Sequence, residues 1–416
     1  MFNNVRLQQF FFNMFKSKFP YEVSCLESEV YTDVKDSIVK FKSNVILSNE
    51  SKTISILLNK KCSVTEVAYL GYPLKFKEKN TFLYDDVKVI TTKLPVNPNL
   101  VNKVKLTYKY YCSPNYWVSI KKGSFFINAS NFIFPQKPSN NNHPSLVCLT
   151  ADKGLKLISG GNLIKQGVKG NKQLVKFKNN SCYGLSMVGD NLLKTRDSYR
   201  NYNITILYPR NYLNQARKIN LIAKCILEHW DDFLPRPLDK SLNIIITSGN
   251  FHPFSDGINT VLPTWLLEKV KEKGKTPTER EQLLFDSLAP KLSKLWFKTI
   301  EVPPNQDWLI DSLCLCASMH SFKKRYGKDI NNDSSLPSPL YDYNKLNSEQ
   351  KLTTGNKTFQ ALIEKLELTP EQFFRDVINQ RSLNWSDIQD QLYPQTAWYS
   401  HRISHLKEKI KTQKYF

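Results

Sequence analysis

Between Tyr21 and about Arg210, apolar side chains recur at every second position in short runs. Ile38-Val39-Lys40-Phe41-Lys42 and Lys103-Val104-Lys105-Leu106-Thr107-Tyr108 alternate, and Thr53-Ile54-Ser55-Ile56-Leu57 is rich in β-branched residues. A two-residue period sends successive side chains to opposite faces, so these runs predict half-buried strands. Turn-forming residues separate them at Ser48-Asn49-Glu50-Ser51 and at Gly160-Gly161-Asn162, the latter expected to be a hairpin turn. Many short strands broken by turns predict a β-sandwich over residues 21–210.

Beyond Arg210 the period lengthens. Asn214 to Trp230 has helical spacing, and Leu242-Asn243-Ile244-Ile245-Ile246 reads as a short apolar strand. Thr276-Pro277-Thr278-Glu279 and Thr369-Pro370-Glu371-Gln372 each predict a helix start. Both have a Thr cap, a Pro in the first turn, and a Glu or Gln placed to return a hydrogen bond. Asn331 to Asn347 reads as loop. The fold class expected is therefore α+β and multidomain. A sandwich is followed over 211–416 by a mainly helical domain with a small sheet, ending in a basic helix.

Residues 1–20 form a separate segment, carrying Arg6, Lys16 and Lys18 and no acid. It reads as an N-terminal helix, with a targeting segment or amphipathic anchor as the alternative. No run of about 18 apolar residues occurs, so no transmembrane segment is expected.

The chain has 416 residues, with 59 Lys+Arg against 37 Asp+Glu, a formal charge of +22. That surplus suggests a nucleic acid or an anionic surface as partner. The lysines are scattered and form no Arg-rich run, so compositional drift is an equal alternative. Eight cysteines sit singly in apolar stretches, apart from Cys314 and Cys316. Two residues apart on a helix, that pair diverges by about 200° and should not share a metal. They read as reduced core residues in an intracellular compartment, cytoplasmic or mitochondrial.

Candidate chemistry concentrates in Leu283 to Phe297, LLFDSLAPKLSKLWF. Its surroundings resemble the M1 family of zinc aminopeptidases, whose zinc helix reads roughly LLAHExxHQWWG and whose downstream helix reads WLNEGFA. Leu288-Ala289 stand where the family has LA, and Trp296-Phe297 where it has WW or WF. Asp307-Trp308-Leu309-Ile310-Asp311 stands where it has WLNE, and Pro235-Arg236-Pro237 before Leu242-Asn243-Ile244-Ile245 resembles its entry to the sheet. The resemblance runs from about Tyr21 to Gln380 and implies a sandwich followed by a thermolysin-like catalytic domain.

The same resemblance implies that the zinc site is lost. In HExxH, two histidines at i and i+4 reach one Zn²⁺ and the Glu between them is general base. Here Pro290 and Lys294 replace the histidines and Lys291 replaces the base. A lysine ammonium has no lone pair for a metal. Asp311 remains as a carboxylate near the third ligand's position. The loop that captures the substrate amine maps to His252 and Asp256, and the catalytic Tyr to about Thr353. No cofactor is expected.

Other motifs are weaker. His401 and His405 share i, i+4 spacing but lack a carboxylate base and read as a solvated C-terminal helix. No G-x-S-x-G elbow, P-loop or dinucleotide fingerprint occurs. The function expected is a non-catalytic binding or scaffold subunit of a larger assembly, with protein partners. Two alternatives stand: a residual hydrolase or other enzyme using Lys291, Lys294, Asp256, Asp311 and His252, or a nucleic-acid-associated subunit resembling subunit 2 of the transcription factor TFIID.

Overall fold

The computed structural model of the chain describes residues 23–33, 37–48, 52–81, 86–95, 103–112, 118–121, 123–128, 132–136, 144–179, 186–232, 234–235, 237, 240–249, 251–271, 276–297, 300, 302, 307–327, 348–380, 382–383 and 388. The segment 1–20, the loop 331–347, the pair His401 and His405 and the basic tail lie outside the described residues, as does Cys182.

The described strands, in chain order, begin with β1 (Val23–Asp33), β2 (Ile38–Leu47), β3 (Thr53–Asn59), β4 (Cys62–Tyr69), β5 (Tyr72–Pro73), β6 (Phe76–Asn80) and β7 (Val87–Lys93). There follow β8 (Lys103–Tyr111), β9 (Val118–Lys121), β10 (Ser124–Asn128), β11 (Ser145–Asp152), β12 (Lys156–Ser159), β13 (Asn162–Lys169) and β14 (Lys172–Asn179). The last are β15 (Ser186–Asp190), β16 (Leu193–Tyr199), β17 (Tyr202–Tyr208), β18 (Ser241–Thr247), β19 (Phe254–Ser255) and β20 (Asn259–Pro263). Helices α1 (Leu213–Asp231), α2 (Thr264–Val270), α3 (Pro277–Leu292) and α4 (Lys294–Phe297) come next in the numbering, then α5 (Asp307–Tyr326), α6 (Ser348–Lys365) and α7 (Pro370–Gln380). No described helix is long and apolar enough to cross a membrane.

The alternation read from the sequence becomes a face of each strand. An eight-stranded sheet has the order β13-β14-β11-β1-β2-β8-β4-β5, and a three-stranded sheet the order β3-β7-β6. Val39 and Phe41 of β2, Val104 and Leu106 of β8, and Ile54 and Ile56 of β3 are all buried in one core. Phe41 stacks on Tyr108 at 4.9 Å and meets Phe134 edge-on at 5.5 Å. The Tyr108 hydroxyl donates to the Ile133 carbonyl at 3.0 Å, so the buried phenol keeps a polar partner.

A four-stranded sheet, β12-β15-β10-β9, extends this core through Phe125 and Ile127. Between them, Phe126 points the other way, into a second core with Leu207, Ile245 and Val261. Phe126 stacks on Phe251 at 4.1 Å there. One strand with both faces apolar thus ties the sandwich to a five-stranded sheet, β16-β17-β18-β20-β19.

One expected turn is corrected. Gly160-Gly161 does not close a hairpin, because β12 pairs with β15 and β13 pairs with β14. The chain changes sheets there. Gly161 has φ +92°, and a Cβ on it would stand 2.8 Å from the Lys178 carbonyl carbon, so glycine is required by conformation and by close approach.

The chain divides into two compact units. One contains the sheets and also 238–292; the other takes 225–237 and the described chain from Ser293 onward. In the second unit, Trp230 is fully buried, donates from Nε1 to Ser321 Oγ at 2.5 Å and meets Trp296 edge-on at 5.1 Å. Gly355 of α6 lets that helix approach α5, since a Cβ would come within 2.7 Å of Ser312 Cβ. Cys314 and Cys316 are both buried. Desolvation pushes the Cys62, Cys112 and Cys316 thiols up to about 12, as suits packing rather than reactivity.

Candidate functional site

Helix α3 starts where its capping box predicts. The Thr276 backbone N–H donates to Glu279 Oε2 at 2.6 Å, and the Glu279 N–H donates to Thr276 Oγ1 at 3.2 Å. Its apolar stripe, Leu284, Phe285, Leu288, Ala289 and Leu292, is buried, and Leu295, Trp296 and Phe297 of α4 are buried as well.

Pro290 lies inside α3, whose last residue is Leu292. Proline has no N–H to give the Asp286 carbonyl and its ring crowds that oxygen. Ser293 is a turn residue, and α4 resumes at Lys294 for a single turn. Lys294 therefore does not continue the helix of Pro290.

Lys294 Nζ and Asp311 Oδ1 are 2.7 Å apart, with the lysine side chain 17% exposed and the aspartate 44%. The two residues that the sequence resemblance sets at a histidine and at the third-ligand position are thus brought together, as cation and carboxylate. Imidazole is absent from these positions and lysine brings a charge of the wrong sign. Among the described residues no group of three or more His, Cys, Asp or Glu could hold a metal ion. Pro290, Lys291, Lys294 and Asp311 do not fit a zinc ion.

The other sequence-derived positions have their own surroundings. Asp256 accepts from Ser186 Oγ at 3.0 Å, from the N–H groups of Ile258 at 3.0 Å and Asn259 at 2.6 Å, and from Asn259 Nδ2 at 3.0 Å. Burial holds its carboxyl above the ordinary aspartate value, against those donors. Both oxygens are engaged in holding the 256–259 turn. His252 is exposed. Lys291 is partly buried at the end of α3. Thr353 lies in α6, and its side chain is outside the described residues.

Three features escaped the sequence reading. Desolvation lifts the carboxyl of Asp286, one turn before Pro290, to about 6, although the residue as a whole is exposed. A cavity of about 90 Å³ is lined by Arg196, Asp197, Arg217 and Asn220, where Asp197 meets Lys224 at 2.7 Å. His320 bonds Glu371 at 2.9 Å and lies with its ring 5.8 Å from that of His229.

No family model matches the sequence, and no curated protein matches it. Among solved structures, the chain is similar to Legionella pneumophila aminopeptidase A in complex with aspartic acid. The TM-score is 0.70 at 11% identity, covering 90% of this chain and 48% of that one. It is also similar to an M1 zinc metallopeptidase from Deinococcus radiodurans, with TM-score 0.63 at 12% identity and 90% of each chain covered. A mutant of that metallopeptidase bound to a Tyr-Ser-Ala substrate gives TM-score 0.61 at 11% identity, covering 89% of this chain and 93% of that one. The chain spans about half the length of the Legionella enzyme and most of the Deinococcus one. At these identities the likeness is one of fold: the chain folds as M1 zinc metallopeptidases do.

Proposed function

We propose that this chain is a non-catalytic protein built on the M1 aminopeptidase fold, serving as a binding or scaffold subunit. On this reading the sandwich is the counterpart of the family's N-terminal domain, and the part after it is a degenerate thermolysin-like domain. The observation that carries the proposal is the 2.7 Å contact of Lys294 with Asp311. In a zinc peptidase these two positions hold the metal from two helices, and the metal supplies the activated water. An ammonium-carboxylate contact occupies the same pair of positions here. It needs no metal for charge balance and offers no base for water. Lys291 at the general-base position is a cation as well, and Asp256 at the amine-capturing loop is committed to its own turn.

The residual-enzyme alternative asks Lys294 to be a free amine in an open cleft. Its contact with Asp311 favours the closed, structural arrangement. Elemental analysis of protein purified without chelator tests the proposal, alongside hydrolysis of aminoacyl reporter substrates. The expected result is no stoichiometric zinc and no hydrolysis. One firmly bound zinc per chain together with reporter cleavage would overturn it.

A further inference from the structure

The lysines that look scattered along the chain gather on the outward face of the eight-stranded sheet. On β2, Lys40 and Lys42 are exposed while Val39, Phe41 and Ser43 between and beside them are buried. On β8, Lys103, Lys105 and Lys109 alternate with buried Val104, Leu106 and Tyr108. On β14, Lys172, Lys176 and Lys178 alternate with buried Gln173, Val175 and Phe177. On the edge strand β13, Lys165 and Lys169 sit opposite Lys176 and Lys172. Directly opposed residues of an antiparallel pair point to the same side of the sheet, so these ten lysines share one face.

Four described carboxylates answer them. Glu27, Glu66 and Asp152 meet Lys103, Lys105 and Lys172 at 2.8, 3.4 and 2.7 Å. Glu29 lies opposite Lys42 and accepts from the Tyr31 hydroxyl at 3.0 Å. Ten lysines against four carboxylates leave a surplus of six among the described side chains. Lys40 stands directly opposite Lys109, Lys165 opposite Lys176, and Lys169 opposite Lys172. Like charges in these positions destabilise a sheet. Asp152 already answers Lys172, so the Lys165–Lys176 pair is where an external polyanion would relieve most.

We propose that this face docks on an anionic lipid bilayer. The charge is spread in two dimensions: from β13 to β8 the sheet crosses five strand spacings, about 24 Å. A bilayer offers anionic groups over such an area. Leu174 is exposed on the lysine face itself, between Lys172 and Lys176. Aliphatic side chains beside lysines suit a headgroup interface and have no use against phosphodiester backbones. The face is built of lysine, without the arginine forks that recognise nucleic-acid phosphates and bases bidentately. This inference stands whether or not the chain binds zinc.

The test is sedimentation of the full chain with phosphatidylserine-containing vesicles and with pure phosphatidylcholine vesicles, at rising salt. The expected result is binding to the anionic vesicles alone, weakened by salt. The triple variant Lys42→Gln, Lys109→Gln, Lys176→Gln should lower partitioning about a hundredfold. A control, Lys75→Gln, Lys77→Gln, Lys79→Gln, removes the same charge from exposed positions around β6 of the other sheet and should stay close to wild type. Circular dichroism melts establish that all three proteins are folded. Equal loss in both variants would show that net charge, not this face, is at work, and would overturn the proposal. So would binding to neither vesicle at low salt, or tighter binding to duplex DNA or RNA than to vesicles at equal phosphate concentration.

Discussion

Lys294 and Asp311 face each other at 2.7 Å, one from the single turn of α4 and one from α5. The lysine is the more buried of the two, so the pair is asymmetric. Asp311→Asn leaves a mostly buried ammonium without its carboxylate, whereas Lys294→Ala leaves a carboxylate that water can reach. The first should cost more, about 1–2 kcal/mol against about 0.5–1 kcal/mol, by urea unfolding. A double-mutant cycle should return a coupling of about 0.5–1 kcal/mol. A coupling near zero would show that the contact does not hold the two segments together.

Gly355 is a packing requirement of the α5–α6 pair. A Cβ there would meet Ser312 Cβ at 2.7 Å and Trp308 Cζ3 at 3.0 Å. Gly355→Ala should therefore destabilise by about 1–3 kcal/mol despite alanine's better helix propensity. Ser312→Gly in the same chain should recover part of the loss, because it removes the nearer obstacle. Thermal melts of the two single variants and the double variant measure this.

Asp256 holds a turn by accepting four hydrogen bonds, two of them from backbone N–H groups of Ile258 and Asn259. Asp256→Ala strands those donors and should cost about 2–3 kcal/mol. Glutamate at this position should not rescue it, since the longer side chain displaces the carboxylate from the turn. Equal unfolding midpoints for wild type and Asp256→Ala would contradict this structural role.

His229 should make the fold acid-sensitive. Burial, aided by Lys324 and His320 and opposed by Glu371 and Asp232, lowers its pKa to about 4 from an ordinary 6.5. The folded state thus binds this proton less readily than the unfolded chain. Stability from His229 is fully present above about pH 6.5 and is lost as pH falls towards about 4. The loss amounts to about 1–3 kcal/mol after allowance for the part-exposed ring. Glu371 adds in the same direction at lower pH, because a hydrogen bond from its own backbone N–H, followed by its contacts with His320 and Lys324, holds its carboxyl below the usual glutamate value against burial. His229→Gln should flatten the pH dependence of the melting temperature between about pH 4 and 6.5. A slope unchanged by that substitution would place the acid sensitivity elsewhere.

Much of this protein is determined locally. A two-residue apolar period is a property of a strand by itself, so β2, β3 and β8 were legible where they occur. Helix starts are equally local: Thr369 and Gln372 exchange the same two hydrogen bonds as Thr276 and Glu279, within four residues of chain. The residue types of Pro290-Lys291-Leu292-Ser293-Lys294 are equally local, and side-chain chemistry alone says that proline and a lysine ammonium ligate no zinc.

What tertiary structure alone decided are the pairings between distant segments. Gly160-Gly161 has the composition of a hairpin turn, yet its flanking strands join different sheets, because partner choice depends on strands far along the chain. The parallel pairing of β1 with β11 has no local signature at all. Lys294 had to meet Asp311 across a helix connection before either charge acquired a role. Each strand shows its lysines at alternate positions, but only the order and register of the sheet place Lys40 beside Lys109 and Lys165 beside Lys176. A side-chain period fixes which face of a strand is wet. Only the long-range backbone hydrogen bonds decide which wet faces lie together, and so where the charge of the chain is concentrated.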